Sequence, residues 1–154
     1  MTEQNVLATP PQQIRFDDGR HARAKIGYVL LATEQTVQDD VMRLRPPGVG
    51  VHFTRAAIAD SITTESLAAQ ADLLADCAAT LLPDGSLDVV CYACTSGSLV
   101  IGEERVFAEL NRGARPAPAG KPAICSNQAM IWDCLRLAGI DDRFEGYGRL
   151  LSEF

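Results

Sequence analysis

The sequence predicts an α/β fold, a flavodoxin-like parallel four-stranded sheet with helices on both faces. Three observations lead there. Apolar runs of strand length recur, the first being Ile26-Gly27-Tyr28-Val29-Leu30-Leu31-Ala32, nearly continuous as suits a strand buried on both sides. Between the runs, apolar residues fall at helical spacing, most clearly Leu67, Ala71, Leu74, Ala78 and Leu81. Turn-forming clusters such as Pro46-Pro47-Gly48 and Pro83-Asp84-Gly85 separate the two kinds of segment.

Taken in order, residues 1–24 carry Pro10-Pro11, three glutamines and Asp17-Asp18-Gly19 without periodicity, and read as a flexible arm before a single domain over 25–154. After the first strand, Thr33 to Arg43 reads as a short helix with Thr33 as its N-cap, stopped by Pro46-Pro47-Gly48. Val49 to Arg55 alternates enough for a second strand. Thr63 or Thr64 caps the next helix, which runs through Leu81. The third strand is the run Leu87-Asp88-Val89-Val90-Cys91-Tyr92-Ala93, which leads into Cys94-Thr95-Ser96-Gly97-Ser98, where Ser98 caps a helix to about Asn111. Residues 112–120, with two prolines, two glycines and three alanines, are linker-like. Pro122-Ala123-Ile124-Cys125 is a short fourth strand. Ser126 then caps a helix with Met130, Ile131, Cys134, Leu135 and Ala138 on one face, closed by Gly139.

Bulk properties exclude several classes of function. A chain of 154 residues makes one ordinary domain, and a domain of that size buries roughly 68–70% of its unfolded surface. A net charge of −6 lacks the basic footprint that nucleic acids or anionic membranes require. No apolar run approaches the ~20 residues of a membrane span, and the N-terminus has no secretory pattern. Five cysteines, an odd number, suit free thiols in a reducing cytoplasm.

In a parallel α/β sheet, ligands bind at the carboxyl ends of the strands. The Thr33–Thr36, Cys94–Ser98 and Cys125–Gln128 loops all fall on that edge, which makes Gln35, Thr36, Thr95, Ser96, Ser126 and Asn127 candidate substrate ligands and Cys94 the candidate catalytic group. A thiol at a strand end, followed by hydroxyls, a glycine and a helix, has backbone N–H groups beside it that favour thiolate and bind carboxylate. The plainer reading of Cys94 is a small apolar residue filling a strand end. Cys91 and Cys94 form a C-x-x-C pair, but three strand steps span roughly 10 Å and turn the side chains to opposite faces. A disulfide needs Cα atoms within about 7 Å, so Cys91 reads as core. His21 and His52 lack metal-ligand spacing to any cysteine, so no metal is expected. Cys77, Cys125 and Cys134 read as structural. Gly146-Tyr147-Gly148-Arg149 reads first as part of a docked tail.

Tyr92-Ala93-Cys94-Thr95-Ser96-Gly97-Ser98, followed by Ile101-Gly102-Glu103-Glu104-Arg105-Val106, closely resembles the maleate cis-trans isomerases of the aspartate/glutamate racemase superfamily, which also includes arylmalonate decarboxylases. Ile26 to about Arg112 resembles the N-terminal lobe of such a protein. Ser126-Asn127-Gln128, Trp132-Asp133, Leu135-Arg136-Leu137-Ala138-Gly139 and Gly146-Tyr147-Gly148-Arg149-Leu150 resemble its C-terminal end. Within the group the details are nearest to the racemase-like proteins of ectoine utilization.

The resemblance implies one lobe of a two-lobed architecture that carries one active-site cysteine per lobe. It further implies cofactor-independent racemisation, isomerisation or decarboxylation of a small carboxylate or dicarboxylate. Cys94 would act as thiolate, with N–H and hydroxyl groups of Thr95 and Ser96 holding the carboxylate and its enediolate. Glu34-Gln35-Thr36 departs from the asparagine usual in the first loop, and the second-lobe cysteine motif is absent. A homodimer that brings two Cys94 residues to one cavity would restore a pair of thiols. The alternative is a carboxylate-binding remnant without turnover.

Overall fold

The computed structural model describes residues 19–83, 86–114, 127–145 and 149–153. Their order is β1 (Ala24–Leu31), α1 (Val37–Leu44), β2 (Val49–Ala56), α2 (Thr64–Ala68), α3 (Ala71–Ala79), β3 (Val89–Tyr92), α4 (Thr95–Ile101), α5 (Glu103–Ala114), α6 (Asn127–Leu137) and α7 (Arg149–Glu153). The three strands form a parallel sheet in the order β2-β1-β3, so the most apolar strand is central. Its register runs from Ala24 opposite Val49 to Leu31 opposite Ala56 on one side, and from Ile26 opposite Val89 to Val29 opposite Tyr92 on the other. The expected fourth strand over 122–125 lies outside the described residues, as do Asp84-Gly85 and Gly146-Tyr147-Gly148.

Because strand side chains alternate between faces, β1 and β3 divide the interior into two apolar layers. Ile26, Tyr28, Leu30, Val89 and Cys91 pack with Val41 and Leu44 of α1, with Met130, Ile131, Cys134 and Leu135 of α6, and with Leu151 of α7. Val29, Leu31, Val90, Tyr92 and Cys94 pack instead with Leu67 of α2, Leu74 and Ala78 of α3, and Val106 and Leu110 of α5. Each fully enclosed leucine or isoleucine contributes roughly 1.5–3 kcal/mol of transfer free energy, so the layers supply the driving force for the fold. The apolar face foreseen over Met130–Ala138 is the one that docks. The tail is docked as well, with the Phe144 N–H bonded to the Leu151 carbonyl.

Three local expectations are corrected. Thr33 does not cap α1: the helix starts at Val37, and the Glu34 carboxylate accepts the Thr36 and Val37 N–H groups at 2.9–3.0 Å and the Thr36 hydroxyl at 2.9 Å. A carboxylate two and three residues before those donors outcompetes a hydroxyl further back because its charge complements the helix dipole. The helix foreseen from Thr63 to Leu81 breaks into α2 and α3 at Ala69-Gln70. There the Gln70 and Leu73 N–H groups bond three residues back, and the buried Gln70 amide donates to the Ala57 carbonyl at 2.6 Å. Thr63 does cap α2, through a reciprocal pair of bonds with Ser66. Ser98 is not a cap but an interior residue of α4, capped by Cys94 itself, and Gly102 at φ 88° separates α4 from α5.

Toward the amino end, His21 lies over Gly50 and meets the ring of His52 edge to face, with centroids 5.7 Å apart. Arg23 donates to the Gly48 and Pro47 carbonyls, through its N–H and its guanidinium, and pairs with Asp142. No helix of the described residues is long and apolar enough to cross a membrane.

Candidate functional site

β3 ends at Tyr92, and Cys94 follows in extended conformation (φ −143°, ψ 101°) as the N-cap of α4. The thiol is used as the cap, because Sγ accepts the Gly97 N–H at 3.3 Å. The Cys94 carbonyl takes the Ser98 N–H at 2.9 Å. Of the first-turn donors this leaves the N–H groups of Thr95 and Ser96, which have no intrahelical acceptor by geometry. Both residues are exposed, and the Ser96 hydroxyl stands 3.8 Å from the Cys94 sulfur. Cys94, Thr95 and Ser96 thus stand together at the carboxyl end of β3, with Cys94 8% exposed.

Gln35 and Thr36 lie on the same carboxyl edge, between β1 and α1, and are exposed. The Thr36 N–H and hydroxyl are already engaged by Glu34, so Thr36 reaches a ligand only if that carboxylate gives way. Burial pushes the Glu34 carboxyl up, but hydrogen bonds from Thr36, Val37 and Gln35 outweigh it and hold it below the ordinary carboxylate range. Arg55, at the end of β2, fastens this loop by donating to the carbonyls of Leu31 at 3.1 Å and Glu34 at 2.7 Å. Ser126 lies outside the described residues. Asn127 opens α6, and its side chain is likewise outside them.

Tyr92 joins the site without being singled out by the sequence pattern. Residues two apart on a strand share a face, so the Tyr92 ring lies in the same layer as Cys94. Its hydroxyl reaches under the loop: a Cβ placed on Gly97 would fall 2.4 Å from the phenol oxygen and 3.0 Å from the Cys94 sulfur. Tyr92 is 0% exposed, and its hydroxyl has no hydrogen-bond partner among the described residues. Burial pushes the phenol far above its ordinary pKa, and the neighbouring Cys94 adds to the shift. Ser98, 1% exposed, holds a second enclosed hydroxyl without a partner there. The i, i+2 spacing from Tyr92 to Cys94 was the available signal.

The remaining described cysteines stand apart from Cys94. Cys91 and Cys134 share the opposite layer, where hydrogen bonding to Cys91 and burial push the Cys134 thiol well up. Cys91 and Cys94 thus point to opposite sides of the sheet, as their spacing implied. Cys77 is half-buried beside the Arg55 carbonyl, and burial and Asp76 push its thiol up. Among the described residues no group of three or more His, Cys, Asp or Glu side chains could hold a metal ion. A cleft of about 200 Å³ between the ends of α3 and α5 is lined by Ala79, Leu82, Pro83, Gly113 and Ala114. It opens at the amino edge of the sheet, away from Cys94, and has no titratable lining.

No protein-family model and no curated protein matches the chain. Among solved structures, it is similar to two crystal structures of the maleate isomerase Iso from Pseudomonas putida S16, the second of them a variant with maleate. Each shows 19% identity and a TM-score of 0.47, covering 76% of this chain and 60% of the isomerase chain. The chain thus spans 60% of the length of those isomerase chains.

Proposed function

We propose that this protein is a cofactor-independent isomerase or racemase, or a decarboxylase, acting on a small carboxylate or dicarboxylate through the Cys94 thiolate. One arrangement carries the reading: the buried residue Cys94 adjoins two exposed residues, Thr95 and Ser96, whose N–H groups open a helix. The sequence likeness of this loop to the racemase superfamily points the same way.

Two kinds of step are compatible with that arrangement. In the first, the thiolate takes the proton next to the carboxylate, and the C–H electron pair becomes an enediolate that Thr95 and Ser96 hold. Return of a proton to the other face completes racemisation, and that proton needs a second acid. In the second, the thiolate adds to a carbon–carbon double bond, the adduct rotates as the enediolate, and expulsion of sulfur gives the other geometric isomer. This route needs one thiol.

A second copy of the chain is the proposed source of the second acid. Leu99 and Val100 of α4, with Leu99 68% exposed, lie one turn beyond Cys94 and would be covered by it. The alternative is carboxylate binding without turnover, in which Thr95 and Ser96 alone hold the anion while the Glu34 carboxylate keeps the first-loop donors from it.

The test is proton NMR in D₂O of small α-substituted acids and of cis and trans unsaturated dicarboxylates, with wild type beside Cys94→Ser. The expected result is deuterium incorporation, geometric isomerisation or loss of CO₂ that vanishes in the variant. Carboxylate binding without any of the three would establish the remnant reading. In an active protein, Ser96→Ala should slow turnover by roughly 10²-fold, the scale of one lost donor to a developing oxyanion.

A further inference from the structure

We propose that Tyr92 is a positioning residue for the Cys94 thiol, its buried phenol serving as the hydrogen-bond donor that receives negative charge on the sulfur. The inference rests on Cys94 being the working thiol of the proposed site, and it gives a role to Tyr92, which the loop motif contains but to which no role was assigned.

The argument starts from an expense. A buried hydroxyl with no partner is costly relative to a satisfied one. Among the described residues the Tyr92 hydroxyl has no such partner and Tyr92 has none of its surface exposed, where phenylalanine would fill the layer without that cost. The hydroxyl is not aimed at random. It stops against Gly97, at the point where a side chain on that residue would also meet the Cys94 sulfur. Gly97 is therefore the residue whose missing side chain lets phenol and thiol share one space.

The sulfur already accepts the Gly97 N–H from one side. A neutral thiol is a weak acceptor, and a thiolate is a strong one. As the thiol loses its proton, the weak contact between phenol and sulfur becomes a charge-assisted hydrogen bond, so the pair is matched best when the sulfur is charged. The upward-shifted phenol keeps its proton through that change and does not compete as a base.

The test is alkylation of the reduced protein by iodoacetamide, mapped by peptide mass, with Tyr92→Phe beside wild type across pH 6–10. Cys77 is the internal reference, since it is half-buried and lies in α3. The expected result is that Cys94 alkylation at neutral pH slows about tenfold in Tyr92→Phe, the scale of one hydrogen bond to a charged group. Its rate profile should move to higher pH, while Cys77 is unchanged. Equal Cys94 profiles in the two proteins, or parallel changes at Cys94 and Cys77, would overturn the proposal in favour of packing alone.

Loss of an unpartnered hydroxyl should not lower stability, and urea unfolding checks that. Should Tyr92→Phe fail to fold, wild-type sequence carrying 3-fluorotyrosine gives the converse reading. That near-isosteric, stronger donor should move the Cys94 profile to lower pH, and an unmoved profile rejects the role. Neither readout depends on turnover. A null result in the D₂O experiment together with a selective shift here would sink the proposed reaction and leave the Tyr92–Cys94 relation standing. The opposite pattern would do the reverse.

Discussion

At Gly97 the chain has no freedom to carry a side chain, although its backbone lies in an ordinary helix. An added Cβ would meet the Tyr92 oxygen at 2.4 Å and the Cys94 sulfur at 3.0 Å. Glycine in a helix normally costs up to ~1 kcal/mol relative to alanine, so a Gly97→Ala change in an open helix would stabilise. Here the collision should win. We expect urea denaturation to show Gly97→Ala destabilised by about 1–3 kcal/mol, the usual scale for overpacking a filled interior. Cys94 itself was legible in the sequence, because a strand-length apolar run ending in a turn-and-helix pattern fixes an edge position without tertiary information. The opposed faces of Cys91 and Cys94 follow from strand geometry alone. The hydroxyl of Tyr92 was not legible, since side-chain alternation assigns it a face but gives no measure of how far its ring reaches.

Among the elements, α1 shows how a short-range electrostatic choice overrides a cap preference. Thr33 and Thr36 are both good cap residues by type, yet the Glu34 carboxylate takes the role. Replacing Glu34 by Ala should cost about 1 kcal/mol, the usual scale for a lost cap. Because its folded-state pKa is depressed, the contribution is present above the unfolded value and fades as pH falls through the folded value. Thermal melts of wild type and Glu34→Ala should differ at pH 7 and converge in strong acid. A gap that widens toward low pH would contradict the assignment.

The α3–α5 contact offers a second element-scale measurement. A Cβ on Gly113 would fall 2.0 Å from the Ala75 carbonyl oxygen, a backbone atom that cannot swing aside. Gly113→Ala should therefore destabilise by at least the ~1–3 kcal/mol of ordinary overpacking, measured by urea titration. The break between α2 and α3 was hidden from periodicity because Leu67 and Leu74 keep helical phase across it. What breaks the helix is the amide of Gln70 reaching Ala57, a tertiary bond that no spacing encodes.

Over the whole molecule, the two-layer arrangement was legible because both β1 and the α6 face are strongly patterned. The docking of residues 21–24 was not, since Arg23 owes its place to Asp142, far along the chain. That pair is solvent-exposed, and its worth is correspondingly small and salt-dependent. Asp142→Asn should lower the melting temperature slightly in dilute buffer and not at all in molar salt. The proposed second copy predicts a species of twice the 16.6 kDa chain mass in light scattering. Leu99→Glu should return it to the single-chain mass, and a monomer at every concentration would refute the assembly.

The ring of Tyr92 sits in the apolar layer with Val106 and Leu110 while its oxygen and the Cys94 sulfur both border the space beside Gly97. A lineage drifting through conservative exchanges in that layer would be retuning the proposed Cys94 chemistry with each repacking step. Selection for heat tolerance and selection for turnover would act on the same few positions. Libraries at Val106 and Leu110 should accordingly show melting temperature and Cys94 reactivity varying together rather than independently.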